Sequence, residues 1–361
     1  MGQSPEDTSE LQRLLSEAQR SGAARYVTAE GEFYLVAPRF RRANASQPFA
    51  GAEKLLNPPL ARAAYSDRSA WLMAVMSQLA YTLFEKDEDA RTNLMATFAD
   101  ADFIKVQFFN NEDSGTQAFL VVRPKSFAVL AFRGTEKDKR DIFTDLNARF
   151  YDTADGKAHQ GFTMAFRSIE KHLHDALTGL SKTEPDLQIF ITGHSLGGAL
   201  ATSATHALEK KFLISACYTF GSPRVGTAEW SDSVKTPIYR VVNGADGVPM
   251  MPPSGVLRTV LTWLPNLPFL TWLKGPVDKF VSTGFVGFQH AGDMRFLAGE
   301  NESAHLKIGS AASWARFRYV VVGKFFAALK ALNPKALSAT FSDHSISRYA
   351  EKLRFIADYR N

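Results

Sequence analysis

A serine at position 195 stands between two glycines in a pattern typical of a catalytic nucleophile. Residues 193–197 read Gly-His-Ser-Leu-Gly, and two more small residues, glycine and alanine, follow. The glycines two positions before and after the serine leave room for a strained turn that presents the hydroxyl group. A serine held in this way attacks an ester carbonyl once a neighbouring base takes its proton. The pattern therefore predicts nucleophilic catalysis by Ser195.

The elements on either side of Ser195 fit this chemistry. Residues 187–192 are apolar and predict a buried strand, and residues 196–210 are rich in small side chains and predict a helix. A strand, a sharp turn and a helix form the setting that this motif requires. The helix would direct its positive N-terminal end and the Leu196 N–H at the space where an oxyanion forms. We therefore predict Leu196 as an oxyanion-hole residue.

Short apolar runs alternate with helical patterns along the rest of the chain. The predicted strands are 104–109, 117–122, 127–132, 187–192, 213–220, 238–242 and 294–297. The predicted helices are an amphipathic helix over 71–84, then 161–180, 196–210, 304–332 with breaks, and 346–358. This alternation predicts an α/β fold in which a mostly parallel sheet has helices on both faces. A small hairpin is expected before residue 37.

Four motifs make the chain resemble the class 3 lipases, the branch of the α/β-hydrolases that includes fungal triacylglycerol lipases. They are Phe-Arg-Gly-Thr at 132–135, His-Gln-Gly-Phe at 159–162, the serine motif at 193–199 and Phe-Gly-Ser-Pro-Arg-Val-Gly at 220–226. The resemblance covers about residues 65–250 and a short C-terminal piece. It implies an α/β-hydrolase fold. Residues 1–60 and 254–340 fall outside the resemblance, and we interpret 1–60 as an N-terminal extension and 61–361 as the catalytic domain.

The acid of a catalytic triad is expected downstream of the serine in this fold, before the histidine. Asp246 lies in a glycine-rich loop just after the predicted strand 238–242, where a carboxylate can orient an imidazole. The resemblance also implies that Asp246 is the family's acid. Asp232 is a second candidate, and loops of this composition often contain ordinary turn aspartates. We predict Asp246 as the acid.

Three histidines follow Asp246, at positions 290, 305 and 344. His344 lies in a polar loop immediately before the last predicted helix, where a catalytic base is needed. The resemblance matches the family's Asp-His pair to Asp343 and His344. His290 resembles part of a different family motif and is expected to make a structural hydrogen bond. His305 is expected at the surface, at the start of a helix. We predict His344 as the base.

The resemblance implies that Thr135 contributes the second oxyanion donor, through its N–H and its hydroxyl. The other interpretation is a turn residue at the end of the strand 127–132. In the predicted mechanism His344 takes the Ser195 proton and returns it to the leaving alcohol, while Asp246 orients the imidazole. This chemistry requires no cofactor and no metal.

The apolar surface expected of a lipase lies in an unusual part of this sequence. Fungal-type lipases have an apolar lid helix after the oxyanion residue, but residues 136–141 here are all ionisable. Residues 254–289 are instead rich in aromatic side chains, and their substrate-binding candidates are Trp263, Phe269 and Trp272. This insertion is either a lid or acyl-binding cap, or a buried segment that enlarges the core. A transmembrane segment is not predicted, because the uncharged stretch 259–273 is shorter than the ~20 residues of a span and contains two prolines.

A second insertion, predicted to be helical, covers residues 302–340. Its part from 314 to 332 interleaves aromatic residues with arginine and lysine. This pattern is typical of an interfacial helix that contacts a membrane peripherally, and also of a core-packing helix with a basic outer face. Both interpretations stay open.

Composition and charge restrict the classes of function. The net charge is +5 without a concentrated basic stripe, so nucleic acid is not an expected partner. Cys217 is the single cysteine, which excludes an intrachain disulfide. The first residues are polar and acidic and contain no apolar signal-peptide core, so we expect a cytoplasmic location, with export by a signal-independent route left open.

The sequence therefore predicts a lipase that cleaves acylglycerol-type esters through a Ser-His-Asp triad and an acyl-enzyme, with action at a lipid interface left open. Alternatives are an esterase for small soluble or aryl esters, a phospholipase A, and a non-catalytic lipid-binding protein. All residue types of the triad and the oxyanion hole are present, which argues against the last alternative.

Overall fold

The computed structural model describes residues 5–37, 47–60, 64–135, 149–252, 271, 287–299, 303–317 and 343–360. In chain order the strands are β1 (Ala23–Thr28), β2 (Gly31–Val36), β3 (Lys105–Asn111), β4 (Thr116–Arg123), β5 (Phe127–Phe132), β6 (Phe150–Thr153), β7 (Gly156–His159), β8 (Gln188–His194), β9 (Ile214–Phe220), β10 (Ile238–Asn243), β11 (Asp293–Ala298) and β12 (His305–Ile308). The helices are α1 (Pro5–Ser21), α2 (Asp67–Leu79), α3 (Glu88–Asp100), α4 (Gln160–Thr183), α5 (Leu196–Leu208), α6 (Ala228–Ser233), α7 (Gly309–Phe317) and α8 (Ile346–Tyr359). None of these helices is long and apolar enough to cross a membrane.

Ten of these strands form one sheet, in the order β1-β2-β3-β4-β5-β8-β9-β10-β11-β12. The strands from β5 to β11 in that order pair in parallel, and the pairs towards both edges are antiparallel. Helices connect the central parallel strands, as parallel pairing requires. This arrangement confirms the predicted α/β-hydrolase fold.

The register of the central strands brings three strand ends to one edge of the sheet. His194 at the end of β8 pairs with Phe220 at the end of β9, and Phe220 pairs with Val241 near the end of β10. The segments that follow these strands therefore leave the sheet side by side. Residues far apart in the sequence meet at this edge.

The core lies on both faces of the sheet. Phe127, Val129 and Ala131 of β5 pack on the face covered by α2 and α8. The alternate residues of β5 pack on the other face, which α4 and α5 cover. Because both faces are covered, every residue of β5 is buried. The sequence of this strand is continuously apolar for that reason.

Two features of the fold differ from the sequence-based expectations. The helix predicted over 71–84 begins and ends earlier, as α2, and is buried around most of its circumference rather than on one stripe. His305 lies in strand β12 instead of beginning a helix, because residues 305–308 pair with β11 at the sheet edge. The predicted helix of this region begins only at Gly309.

The N-terminal hairpin has the predicted form and an additional role. Strands β1 and β2 pair with each other, and β2 also pairs with β3 at Tyr34 and Leu35. The hairpin therefore extends the main sheet. The domain boundary at residue 60 stays a prediction.

Candidate active site

The turn between β8 and α5 holds Ser195 in a backbone conformation that few non-glycine residues adopt. Its φ is 57° and its ψ is −129°, and such a conformation costs about 1–3 kcal/mol. A Cβ atom at Gly193 would collide with the carbonyl group of Gly197, and one at Gly197 would collide with the carbonyl oxygen of Phe132. Glycine is therefore required at both positions flanking the serine. The turn projects the Ser195 side chain from the carboxyl edge of the sheet.

Ser195, His344 and Asp246 form a continuous chain of hydrogen bonds. The distance from Ser195 Oγ to His344 Nε2 is 2.8 Å, and the distance from His344 Nδ1 to Asp246 Oδ2 is also 2.8 Å. All three side chains are buried. They come from three separate segments, after β8, after β10 and before α8. The geometry allows the imidazole to take the serine proton while the carboxylate fixes its tautomer.

The Asp246 carboxylate accepts two further hydrogen bonds. The Val248 N–H donates to Oδ1 at 3.0 Å, and the Tyr349 hydroxyl donates to Oδ2 at 2.6 Å. Burial and the charge of Asp246 raise the pKa of Tyr349 well above its ordinary value, so its hydroxyl stays a donor. These donors orient the carboxylate that faces the imidazole.

Gly221, the first residue after β9, touches the hydrogen bond between acid and base. Its φ is +58°, and a Cβ atom there would lie 2.5 Å from Asp246 Oδ2 and 2.9 Å from His344 Nδ1. A larger residue would therefore be strained and would also separate the two side chains. The glycine of the motif at 220–226 has a structural explanation at this position.

Hydrogen bonds from neighbouring segments position the backbone around His344. The His194 ring contacts the carbonyl oxygen of His344 through Nε2 at 2.6 Å, and the Tyr81 hydroxyl contacts His194 Nδ1 at 2.8 Å. The Asn243 side chain donates to the Asp343 carbonyl at 2.9 Å. The base is therefore held from β8 and from the end of β10.

Thr135 and Leu196 line the same cavity next to the serine. The cavity has a volume of about 600 Å³, and Phe162, Ala165 and Leu200 form apolar parts of its wall. The backbone before Thr135 lies directly against the turn at residues 193–197, here called the serine elbow, because a Cβ atom at Gly197 would collide with the carbonyl oxygen of Phe132. The predicted oxyanion residues Thr135 and Leu196 therefore share one cavity wall next to the elbow.

An almost fully buried ion pair anchors the segment that precedes Thr135. Arg133 donates to both oxygens of the Glu85 carboxylate, at 2.7 and 2.8 Å, and its Nε donates to the Ala80 carbonyl at 2.6 Å. Burial tends to raise the pKa of Glu85, but the hydrogen bonds and charge of Arg133 outweigh it and lower that pKa overall. The pair fixes the end of β5 relative to the loop after α2.

His159 contributes a neutral imidazole to the wall of the cavity. Its ring stacks on Phe162 with a centroid distance of 4.0 Å, and its Nδ1 accepts from the Phe162 N–H at 3.4 Å. Burial lowers the pKa of His159 to about 4, so the ring is uncharged at neutral pH. Its Nε2 has no hydrogen-bond partner among the described residues.

Residues 129–256 match the family model of the class 3 lipases. This segment includes Thr135, the serine elbow and Asp246. Over this segment the chain is similar to the class 3 lipases. Because the matched segment ends at residue 256, His344 and the residues after it lie beyond the part of the chain that was matched.

Two curated relatives are fungal enzymes. A secreted mono- and diacylglycerol lipase of Fusarium solani is 38% identical over 127 residues, which is 34% of this chain and 36% of the relative. A secreted mono- and diacylglycerol lipase of Malassezia restricta is 29% identical over 153 residues, covering 38% of this chain and 51% of the relative. The matches thus span from about a third to about half of these relatives.

A solved lipase structure from Rhizopus microsporus var. chinensis has a similar fold. It aligns with a TM-score of 0.51 at 20% identity, over 78% of this chain and 88% of that one. At this level of identity the similarity establishes the fold alone.

The expected cytoplasmic location is wrong. Both curated relatives, and a third from Malassezia globosa, are named as secreted lipases, which points to an extracellular location. The expectation depended on the polar composition of the first residues. Such a composition does not establish the compartment in which an enzyme acts.

The structure brings Ser195, Asp246 and His344 together, and Thr135 and Leu196 line one cavity next to the serine elbow. The competing candidates lie elsewhere: Asp232 is exposed in α6, and His305 is exposed in β12. The third competitor, His290, contacts the Pro249 carbonyl through Nε2 at 2.8 Å. The remaining candidates, Trp263, Phe269 and Trp272, lie outside the described residues.

Three residues of the site were missed by sequence reasoning. Tyr349 was hidden in an amphipathic helix, where a tyrosine on the buried face is usually a packing residue. Glu85 follows α2 in a short polar segment without a motif, and Gly221 was identified as part of a motif but not assigned a contact. A buried tyrosine near the predicted base was the one signal that could have been used.

Proposed function

We propose that this chain is a lipase of the class 3 type, a serine hydrolase that cleaves carboxylic esters of the acylglycerol type. The observation that carries the proposal is the hydrogen-bonded chain from Ser195 through His344 to Asp246. Buried carboxylates and imidazoles are costly unless they are paired, and here each pairs in the order that acyl transfer requires. The relatives that are named mono- and diacylglycerol lipases support the choice of substrate class.

In the proposed reaction Ser195 Oγ attacks the ester carbonyl while its proton moves to His344 Nε2. The tetrahedral oxyanion lies between the Leu196 N–H and Thr135, where the N-terminal end of α5 also favours negative charge. Collapse of this intermediate breaks the bond to the alcohol, which takes the proton from His344. Water then attacks the acyl-enzyme by the same route and releases the carboxylic acid.

The cavity beside the elbow supports a substrate with an acyl chain. Its volume of about 600 Å³ lies within the range of small-molecule sites. Phe162 and Leu200 offer apolar contacts next to the oxyanion position. The proposal includes contact with an aggregated lipid surface, on the basis of the apolar insertion over residues 254–289.

A fluorophosphonate label tests the chemistry, and Ser195→Ala is the matched control. The wild-type chain should be labelled and should hydrolyse esters. Ser195→Ala should lose labelling and about 10⁶-fold in kcat, with a nearly unchanged melting temperature, because the hydroxyl serves chemistry rather than packing. Residual activity within tenfold of wild type would remove Ser195 from the mechanism.

The substrate class requires a second experiment. Rates should be compared on a short soluble acetate, on emulsified mono-, di- and triacylglycerols, and on phosphatidylcholine vesicles. The highest kcat/KM on acylglycerols would support a lipase. Preference for the soluble ester would indicate an esterase, and preference for phosphatidylcholine would indicate a phospholipase A.

A further inference from the structure

The strongest unexplained contact near the triad comes from α7, a helix beyond the segment that matches the family. Arg316 Nη2 donates to the backbone carbonyl oxygen of Asp246 at 3.3 Å. Its Nη1 lies 3.9 Å from Met294 Sδ on β11. The α7 helix itself packs through Ala312 on Phe296 of that strand. A cation on an inserted segment therefore touches the residue that carries the acid.

The Arg316 charge acts on Asp246 at short range. Burial lowers the pKa of Arg316, and the negative charge of Asp246 acts in the opposite direction. Among the described residues, Asp246 is the carboxylate whose charge acts on this guanidinium. Asp246 is fully buried and Arg316 is partly buried, so solvent screens the attraction between the two charges less than it would at the open surface. Coulomb repulsion makes a second cation close to this guanidinium unfavourable.

Two neighbouring arginines lie near Arg316 and make contacts of their own. Arg224 and Arg240 lie close enough for their pKa values to be lowered by Arg316, to about 10 and about 9, although burial is the larger cause for both. Arg224 donates to the Pro252 carbonyl at 2.6 Å, and Arg240 donates to the Gly292 carbonyl at 3.2 Å. These contacts leave Arg316 as the arginine that reaches the acid.

Other ionisable groups in the described part of the chain also surround the pair. Ser195, Tyr81 and His194 lie on the side of β8. Asp343, Arg348, Tyr349 and Lys352 lie in or just before α8. His290 and Asp293 lie on the side of the three arginines. Arg348 pairs with Asp343, and Lys352 donates to the Asn243 side chain.

We infer that Arg316 is a positioning residue of the triad, which anchors the backbone of Asp246 and places a positive charge beside the acid–base pair. The inference rests on the proposed function. It means that the insertion over 302–340 completes the active site in addition to any role at a lipid surface. The part of the chain that matches the family would then be insufficient for full activity.

The test is the pH dependence of kcat/KM on p-nitrophenyl acetate, from about pH 5 to about pH 9. Arg316→Met removes the charge and the donor, so the protonated imidazole becomes less unfavourable. The acidic limb of the profile should move to higher pH by about half a unit, and kcat should fall about tenfold with KM changed less than twofold. Arg316→Lys should restore the position of the limb because it keeps the charge.

Arg240→Met is the matched control, since it removes a neighbouring cation that does not touch Asp246. Its acidic limb should stay at the wild-type position. Circular dichroism over the same pH range should show that each variant stays folded, because acid unfolding of a less stable variant would also move the limb to higher pH. If Arg316→Met does not fold, Arg316→Gln keeps a donor without the charge and should move the limb in the same way.

An unmoved limb in a folded, uncharged variant at position 316 would overturn the inference, and so would an equal movement in Arg240→Met. Either result would leave the proposed function intact as long as the wild type hydrolyses the ester and takes a fluorophosphonate label. Absence of both in the wild type would instead contradict the proposed function itself.

Discussion

Two halves of the candidate site are built from chain segments of very different length. The nucleophile half consists of β8, the Ser195 turn and α5, which are contiguous in the sequence. The acid–base half consists of Gly221, Asp246, His344 and Tyr349, and its acid and base are 98 residues apart. The first half is defined by local geometry, and the second depends on the register of the sheet and on the packing of α8.

The two halves also differ in the interactions that hold them. Backbone contacts at Gly193 and Gly197 restrict the nucleophile half, so its geometry depends on the absence of side chains. Hydrogen bonds between buried polar groups restrict the acid–base half, such as the one from Tyr349 to Asp246. Substitutions should therefore disturb the halves differently. The following predictions test this difference in order of expected effect.

The largest effect after loss of Ser195 itself is expected for Gly221→Ala in the acid–base half. The added Cβ would press on both Asp246 and His344, in a backbone conformation with positive φ. We expect kcat to fall by about 10³- to 10⁴-fold, comparable to loss of the acid's function in other triads. Steady-state kinetics on a soluble ester measure this loss.

Gly51→Ala separates strain from the contact with the triad. Gly51 has a similar φ of +65°, but its nearest neighbour would be Arg354 Nη2 at 3.5 Å, an ordinary contact. This control should lower the melting temperature and keep its activity. Similar kinetics for the two variants would contradict the role of Gly221.

On the nucleophile side, Thr135→Val should lower kcat by about 10²-fold with a much smaller change in KM. Valine keeps the shape and the backbone N–H but removes the hydroxyl, so the variant isolates one oxyanion donor. Thr135→Ser, which keeps the hydroxyl, should retain most of the activity. An effect confined to KM would mean that Thr135 contacts the substrate without stabilising the oxyanion.

The sequence predicts the two halves to different extents, because the nucleophile half is contiguous in the chain and the acid–base half is assembled from distant segments. The serine elbow can be predicted from the sequence, because glycine, serine and glycine must occur at a fixed short spacing between a strand and a helix. Asp246 and His344 are also predictable, because each lies in a polar loop after or before a regular element. The residues that contact Asp246 are harder to predict from the sequence. Tyr349 and Arg316 reach Asp246 from helices whose position in the fold no local sequence pattern indicates.

The fold shows the same limit at the edges of the sheet. The apolar run of β5 predicts a buried central strand because both its faces must be covered. Residues 305–308 alternate weakly and are half exposed, so their pairing with β11 depends on a neighbour already in place. The helix expected there was wrong for that reason.

Tyr349→Phe should lower kcat by about tenfold, because the Asp246 carboxylate loses one of its orienting donors. The same change leaves the Asn243 N–H without its acceptor, so a moderate loss of stability of about 1–2 kcal/mol is also expected. Tyr359→Phe on the same helix is the control, because Tyr359 is 83% exposed. Equal kinetics for Tyr349→Phe and Tyr359→Phe would show that the hydroxyl is not needed to orient the acid.

The smallest effect concerns stability alone and compares glycine with alanine at the two reacting positions. Ser195→Ala keeps a Cβ atom and therefore keeps the strain of the positive φ, whereas Ser195→Gly removes it. Relief of strain should exceed the entropic cost of glycine, so Ser195→Gly should be more stable than Ser195→Ala by about 1 kcal/mol. His344 has no positive φ, so His344→Gly should be less stable than His344→Ala by about 0.5–1 kcal/mol.

All four variants lack an essential group of the proposed mechanism, so differences in their melting temperatures report on the backbone rather than on activity. The same order at both positions would mean that the elbow stores no strain, and that the nucleophile half is held by side-chain contacts like the acid–base half.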